Sequence, residues 1–168
     1  MEDLVRIVVQ WLHVVTGVLW IGGGFYTVFV QLPGLAAMPL PARGPAIAAL
    51  GPRQIRYILR VAELTLATGL VNLLLGGRAR QLAEPLGSRW AVVMLGGIVL
   101  AVLLYGSVRA LAKPLSERLL AVAPQAAAGD QAAAEELPLI RERIRRLGLA
   151  QIAVGAAIVL AMVAARFS

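Results

Sequence analysis

The sequence predicts an all-α protein, an integral membrane four-helix bundle with antiparallel up-down topology. Three observations predict it. The 168 residues are 60% hydrophobic, with a mean hydropathy of +0.81. Charged residues make up 15% of the chain, where a soluble domain carries about a quarter. Four segments reach the roughly 20 predominantly apolar residues that a spanning helix needs. The length suits a single domain over residues 1–168.

The first segment covers residues 4–30. It opens on the acidic pair Glu2 and Asp3, is longer than the apolar core of a signal peptide, and has no Ala-x-Ala cleavage site close behind it. It therefore reads as a retained helix. Arg6, Gln10, His13, Gly17, Trp20, Gly24, Thr27 and Gln31 recur along it at alternating spacings of four and three, the heptad seam of a left-handed bundle. In lipid, polar and small side chains turn inward, so this face packs on the other helices. Its glycines leave room for close approach or for a flat ligand. His13 lies roughly 13 Å below the outer hydrocarbon boundary at 1.5 Å rise per residue. An ionisable group at that depth is either a neutral histidine bonded to a facing helix or a functional ligand.

The second segment covers residues 55–75. Arg53, Arg56, Arg60 and Glu63 share a face that enters from the cytoplasmic side, with Glu63 roughly 12 Å inside that boundary. Arg60, three residues away, is placed to pair with it. The group reads as an internal ion pair that fixes the register of the bundle, or as a proton-handling carboxylate or a guanidinium for an acidic ligand. On a different face, Thr65, Thr68, Gly69, Asn72 and Gly76 read as interhelical hydrogen bonding and close packing.

The third helix covers residues 90–108 and the fourth 138–166, of which 147–165 lie in the membrane. Both repeat the seam, as Trp90, Met94, Gly97 and Ala101, then Gly148, Gln151, Gly155, Ile158 and Met162. Gly96 and Gly97 permit close backbone approach. Met94 and Met162 fall within about 10 Å of the outer boundary, at a height similar to His13. Packing is the ordinary use of such a methionine, yet His/Met is also an axial pair for haem iron. Tyr105 lies deeper toward the cytoplasm and carries no role in this reading.

Between these helices, residues 109–137 read as a cytoplasmic loop. Its low-complexity stretch, Gln125 to Ala134, is too poor in large apolar side chains to build a core, so it is helical or mobile on the surface. Glu135 and Glu136 ahead of Pro138 mark the start of the fourth helix. The basic run that follows reads as a solvated or headgroup-facing surface.

The net charge is +7, with 16 Lys and Arg against 9 Asp and Glu. The basic residues punctuate apolar runs and form no stripe, and no nucleic-acid-binding motif accompanies them, so no nucleic-acid partner is expected. With four spans, Arg6, Arg78, Arg80, Arg89 and Arg166 fall on one side, and the larger basic group, including Arg43, Lys113, Arg118 and Arg141 to Arg146, on the other. Positive charge favours the cytoplasm. Both termini are thus expected outside a bacterial-type inner membrane. The absence of cysteine removes disulfides, thiolate zinc sites and iron–sulfur clusters.

The stretch from Trp11 to Tyr26, with His13 followed seven residues later by Trp20-Ile21-Gly22, resembles the first-helix signature of the copper-resistance protein D family. The membrane-bound N-terminal domain of cytochrome-linked urate oxidases shares that signature. The resemblance is weaker from Arg60 to Asn72 and topological beyond. More distantly the chain is similar to the membrane-type protoporphyrinogen oxidase, but Val30-Gln31-Leu32-Pro33-Gly34-Leu35 lacks the second histidine and the arginine of that pattern. The resemblance implies a b-type haem with His13 as axial or metal ligand.

The expected function is a small haem-binding redox protein or subunit. Its cofactor-binding residues would be drawn from His13, Gly17, Trp20, Arg60, Met94 and Met162, with Arg56 and Glu63 as a further polar site. Its partners would be the lipid bilayer and either a redox partner or a second copy of the chain. The alternatives are a copper-handling or uptake protein and an accessory subunit whose polar residues specify packing. Copper fits the donor set poorly, because Cu(I) prefers clusters of thiolate and thioether.

Overall fold

The computed structural model describes residues 1–84 and 87–168, with Leu40 described by its backbone alone. The protein is all-α, and among the described residues four helices are long and apolar enough to cross a membrane. They are α1 (Glu2–Ala37), α2 (Leu40–Leu75), α3 (Arg89–Ala127) and α4 (Gln131–Arg166). This is the expected four-helix class, with longer helices than the hydropathy suggested.

The extra length comes from polar or proline-bearing turns that a hydropathy window cuts off. Pro33 and Pro114 each follow a π turn, at Thr27–Gln31 and Val108–Ala112. A proline within a helix lacks its N–H and crowds the carbonyl four residues back. The wider turn absorbs that misfit and lets the helix run on. Residues 109–137, expected as a loop, are therefore helical except for a tight turn. That turn holds Gly129 at φ 94°, the left-handed conformation that glycine adopts without penalty after a helix end. Asp130 Oδ1 then accepts a hydrogen bond from the backbone N–H of Ala133 at 3.1 Å, capping α4. Capping by Asp130 moves the start of α4 to Gln131, ahead of the expected 138, and leaves Pro138 inside the helix. At the start of α3, Ser88 Oγ does the same for the N–H of Ala91 at 3.1 Å.

The chain packs as two compact units. The first comprises Met1–Ile21, Arg60–Tyr105 and Ala153–Ser168. Its buried cluster is Trp90, Ala91 and Ala165, with Leu73, Leu82, Val93 and Met94 against it. The Arg78 guanidinium lies 5.4 Å from the Trp90 ring centre, a cation–π contact.

The second unit comprises Gly22–Leu59 and Gly106–Ile152. Its core is Ile47, Leu119, Val122, Ala123, Ala133 and Ile140. Ala126 and Ala133 belong to or pack on this core, so the alanine-rich stretch does take part in one. Its small side chains let the helices close around branched residues supplied from elsewhere. Arg118 of α3 grips Glu136 of α4 in a bidentate pair, Nε to Oε1 at 2.8 Å and Nη2 to Oε2 at 2.7 Å.

Candidate functional site

The seam on α1 is buried only in part. Trp20 is 5% exposed, and His13, Gly17, Gly24, Thr27 and Gln31 are half-buried, whereas Arg6 and Gln10 lie at the surface. Thr16, absent from the expected seam, is buried. Its hydroxyl donates to Leu12 O at 2.8 Å and to His13 O at 3.2 Å, which is how a hydroxyl is tolerated there.

His13 is the centre of the site. Its Nδ1 lies 3.0 Å from the backbone oxygen of Thr65 on α2. A carbonyl only accepts, so in the neutral ring Nδ1 carries the proton and Nε2 keeps its lone pair. Thr65 is itself buried, with its hydroxyl donating to Val61 O at 2.8 Å. The ring rests on Gly69: a Cβ there would stand 2.8 Å from Cε1 and 3.1 Å from Nδ1 of His13. One helical turn further, Asn72 Nδ2 donates to Gln10 Oε1. The Thr65, Gly69 and Asn72 face, read from the sequence as ordinary packing, is thus the wall that holds the histidine. No residue-type signal distinguished it; only the placement of His13 does.

Of the remaining expected site residues, Gly17 adjoins this clamp through Thr65, whereas Met94 and Met162 pack elsewhere. Met162 packs on Gly97, where a Cβ would meet its Cε at 2.6 Å. Met94 packs against the Trp90 cluster. Gly17 makes ordinary van der Waals contact, its would-be Cβ 3.7 Å from Thr65 Cγ2, while Gly24 faces open space. The close approach expected at Gly24 falls instead at Gly23, beneath Ile58 and Tyr57. Arg56 is exposed.

Arg60 and Glu63 do pair, at 3.5 Å, but their side chains are 82% and 38% exposed. The pair is therefore not internal: position 60 lies on the outer face of α2, while the inner face carries Val61, Ala62 and Thr65. Tyr105, which carries no expected role, donates its hydroxyl to Glu63 Oε1 at 3.1 Å. The carboxylate is thus tied to α3 as well as to Arg60.

A single imidazole clamped between two apolar helices, in a chain with four such helices, defines a small multi-pass helical membrane protein with one buried-face histidine. Comparison with family models, with curated proteins and with solved structures finds no match to this chain. Among the described residues no group of three or more His, Cys, Asp or Glu side chains could hold a metal ion.

Proposed function

We propose that this protein is a small membrane haem protein of b type, a redox subunit in which His13 supplies one axial ligand. The observation that carries the reading is the Nδ1 contact to the Thr65 carbonyl. Histidines that ligate metals commonly donate their other ring N–H to a carbonyl, which fixes tautomer and orientation and raises the basicity of the free nitrogen. The Gly69 cradle adds to the fit, because it sets the ring plane. The resemblance of Trp11 to Tyr26 to haem-linked membrane families supports the same assignment.

The donor set fits one axial position. Met94 and Met162 are engaged in packing, so His13 is the residue that would hold the haem. A bound haem would supply one-electron transfer. In this reading, the protein orients the imidazole through Thr65 and Gly69. Its apolar helices keep water away from the free nitrogen.

An inner-membrane location with both termini outside remains part of the proposal. So does the up-down order of the helices. The orientation is supported by the charge distribution along the sequence, in which Arg6, Arg78, Arg80, Arg89 and Arg166 stand against the larger basic group that includes Arg43, Lys113, Arg118 and Arg141 to Arg146. Copper handling is less well supported, with one histidine and no cysteine. The reading as an accessory subunit draws on the same Thr65 contact, taken as packing alone.

Purification in mild detergent with haem supplied, followed by oxidised and reduced spectra beside His13→Ala, separates these readings. A Soret band and an α-band lost in the variant are expected. A colourless wild type overturns the haem assignment and leaves the packing role.

A further inference from the structure

We propose that a groove between α1 and α2 binds one phospholipid with an anionic headgroup. The groove has a volume of about 550 Å³ and is lined by Arg6, Ile7, Gln10, Trp11, Val14 and Asn72, all in the first unit. That volume lies within the range of small-molecule sites. Its two-sided lining follows from helix geometry. Residues three and four apart share a face, so Arg6 and Gln10 form a polar row, with Ile7, Trp11 and Val14 as an apolar row beside it. The polar row leads on to His13. Asn72 closes it from α2 through the hydrogen bond to Gln10.

The polar wall has hydrogen-bonding capacity to spare. Arg6 is the charged residue of the lining. It lies at the surface and makes no hydrogen bond or ion pair among the described residues. Glu2 and Asp3, a turn earlier on the same helix, leave it unpaired. Gln10 and Asn72 spend one acceptor and one donor on each other. A side-chain amide has two N–H donors and an acceptor oxygen, so each keeps at least one donor for a ligand. A free guanidinium beside two amides suits the charged oxygens of a phosphate diester.

The apolar row decides between a free anion and a lipid. Ile7, Trp11 and Val14 are exposed and run from the level of Arg6 toward the middle of α1. An acyl chain covers such a row while its headgroup stays with Arg6. A small anion would leave the row bare, and a lipid without net charge would leave Arg6 without a counter-charge. The level suits a phospholipid. Arg6 stands in the second turn of a helix long and apolar enough to cross a membrane, where headgroups and basic side chains meet. Trp11 follows about 7.5 Å deeper at 1.5 Å per residue, in the zone near the boundary where tryptophan is enriched.

The test uses the whole chain in mild detergent without haem, so its outcome is independent of the haem assignment. Phosphatidylglycerol and phosphatidylcholine with brominated acyl chains are titrated in while tryptophan fluorescence is read, since bromine quenches an indole that it touches. Trp11 lines the groove, whereas Trp20 and Trp90 are buried. Saturable quenching by phosphatidylglycerol is expected, with half-saturation about tenfold below that of phosphatidylcholine, the effect of one charge-assisted contact. Arg6→Gln should abolish that preference, and Trp11→Phe should abolish most of the quenching. Arg166→Gln, exposed and outside the groove, should behave as wild type. Glycerol phosphate at the same concentrations should leave the lipid in place. Displacement by it would make the site one for a free anion and overturn the lipid. Equal half-saturation for the two lipids in wild type reduces the groove to ordinary bilayer contact and overturns the proposal. So does a preference that survives Arg6→Gln, or quenching that survives Trp11→Phe. Should Arg6→Gln fail to fold, the wild-type preference and the Trp11→Phe signal decide alone.

Discussion

The Nδ1 of His13 stands 3.0 Å from the backbone oxygen of Thr65, 52 residues further along the chain. That contact selects one of the two neutral tautomers. Because His13 is the only histidine, nitrogen-15 spectra of the imidazole in detergent report on it without assignment. The neutral ring is expected to show a protonated Nδ1 and a bare Nε2. The opposite pattern would mean that the ring does not donate to Thr65.

The Gly69 cradle gives a stability prediction. Gly69→Ala forces a methyl against the imidazole at 2.8 Å and should cost about 1–3 kcal/mol, the usual penalty for overpacking. Gly24→Ala has nothing within 4 Å to meet. It should be neutral or gain up to about 1 kcal/mol from helix propensity. Denaturant unfolding of both variants in the same detergent checks the contrast.

Tyr105→Phe removes the donor to Glu63 Oε1 while keeping the ring. A loss of about 0.5–1.5 kcal/mol is expected. Glu63→Gln retains an acceptor for the phenol and should lose less from that contact. Comparable unfolding midpoints for Tyr105→Phe and wild type would show that the bond contributes nothing.

Met94 and Met162 are packing residues here, against Trp90 and Gly97. Replacement of either by leucine conserves volume and should change stability by less than about 1.5 kcal/mol. In haem-loaded protein the α-band position should stay where it is. A shifted band in Met162→Leu would make that sulfur a ligand.

Glu142, on the polar part of α4, is pushed down from 4.5 to about 2, first by its hydrogen bond to Arg145 and then by that to Arg146. A carboxylate lowered in the folded state contributes stability above its unfolded value, and that contribution is lost as pH falls through the folded one. The triad should therefore be intact at neutral pH and at mildly acid pH, weakening only between 4.5 and about 2. A side-chain carboxyl titration by NMR with a midpoint near 4.5 would show the three residues to be unpaired.

How much of this was legible beforehand follows from which signals are carried by composition and which by tertiary contact. The four helices and the α1 seam were readable, because the depth of apolar runs and the four–three spacing of His13, Gly17 and Trp20 are properties of residue order. The α3 and α4 seams were readable for the same reason, with Gly97, Ala101, Gly155 and Ile158 all buried. The helical course through Pro33 and Pro114 was not, since a π turn is a response to proline with no residue code of its own. Asp130 as the cap of α4 competes in the sequence with Glu135 and Glu136, the acids before Pro138. The partners of His13 were hidden for a deeper reason. The acceptor is a main-chain carbonyl, and every residue has one. Which of them faces the ring depends on the rotation of α2, and no side chain announces it. Tyr105 is hidden likewise, because its partner Glu63 has a nearer candidate in Arg60, three residues away.

The 52-residue interval between His13 and Thr65 also bears on the order of manufacture. The imidazole leaves the ribosome and reaches the bilayer while the carbonyl that will receive its proton has yet to be made. On α1 alone its ring N–H would face hydrocarbon with no acceptor, and the cost would stand until α2 arrived. Delivery of the two helices together, as a preformed hairpin, removes that interval. A nascent chain arrested before Thr65 should therefore be held in the bilayer less firmly than one that extends through the second helix.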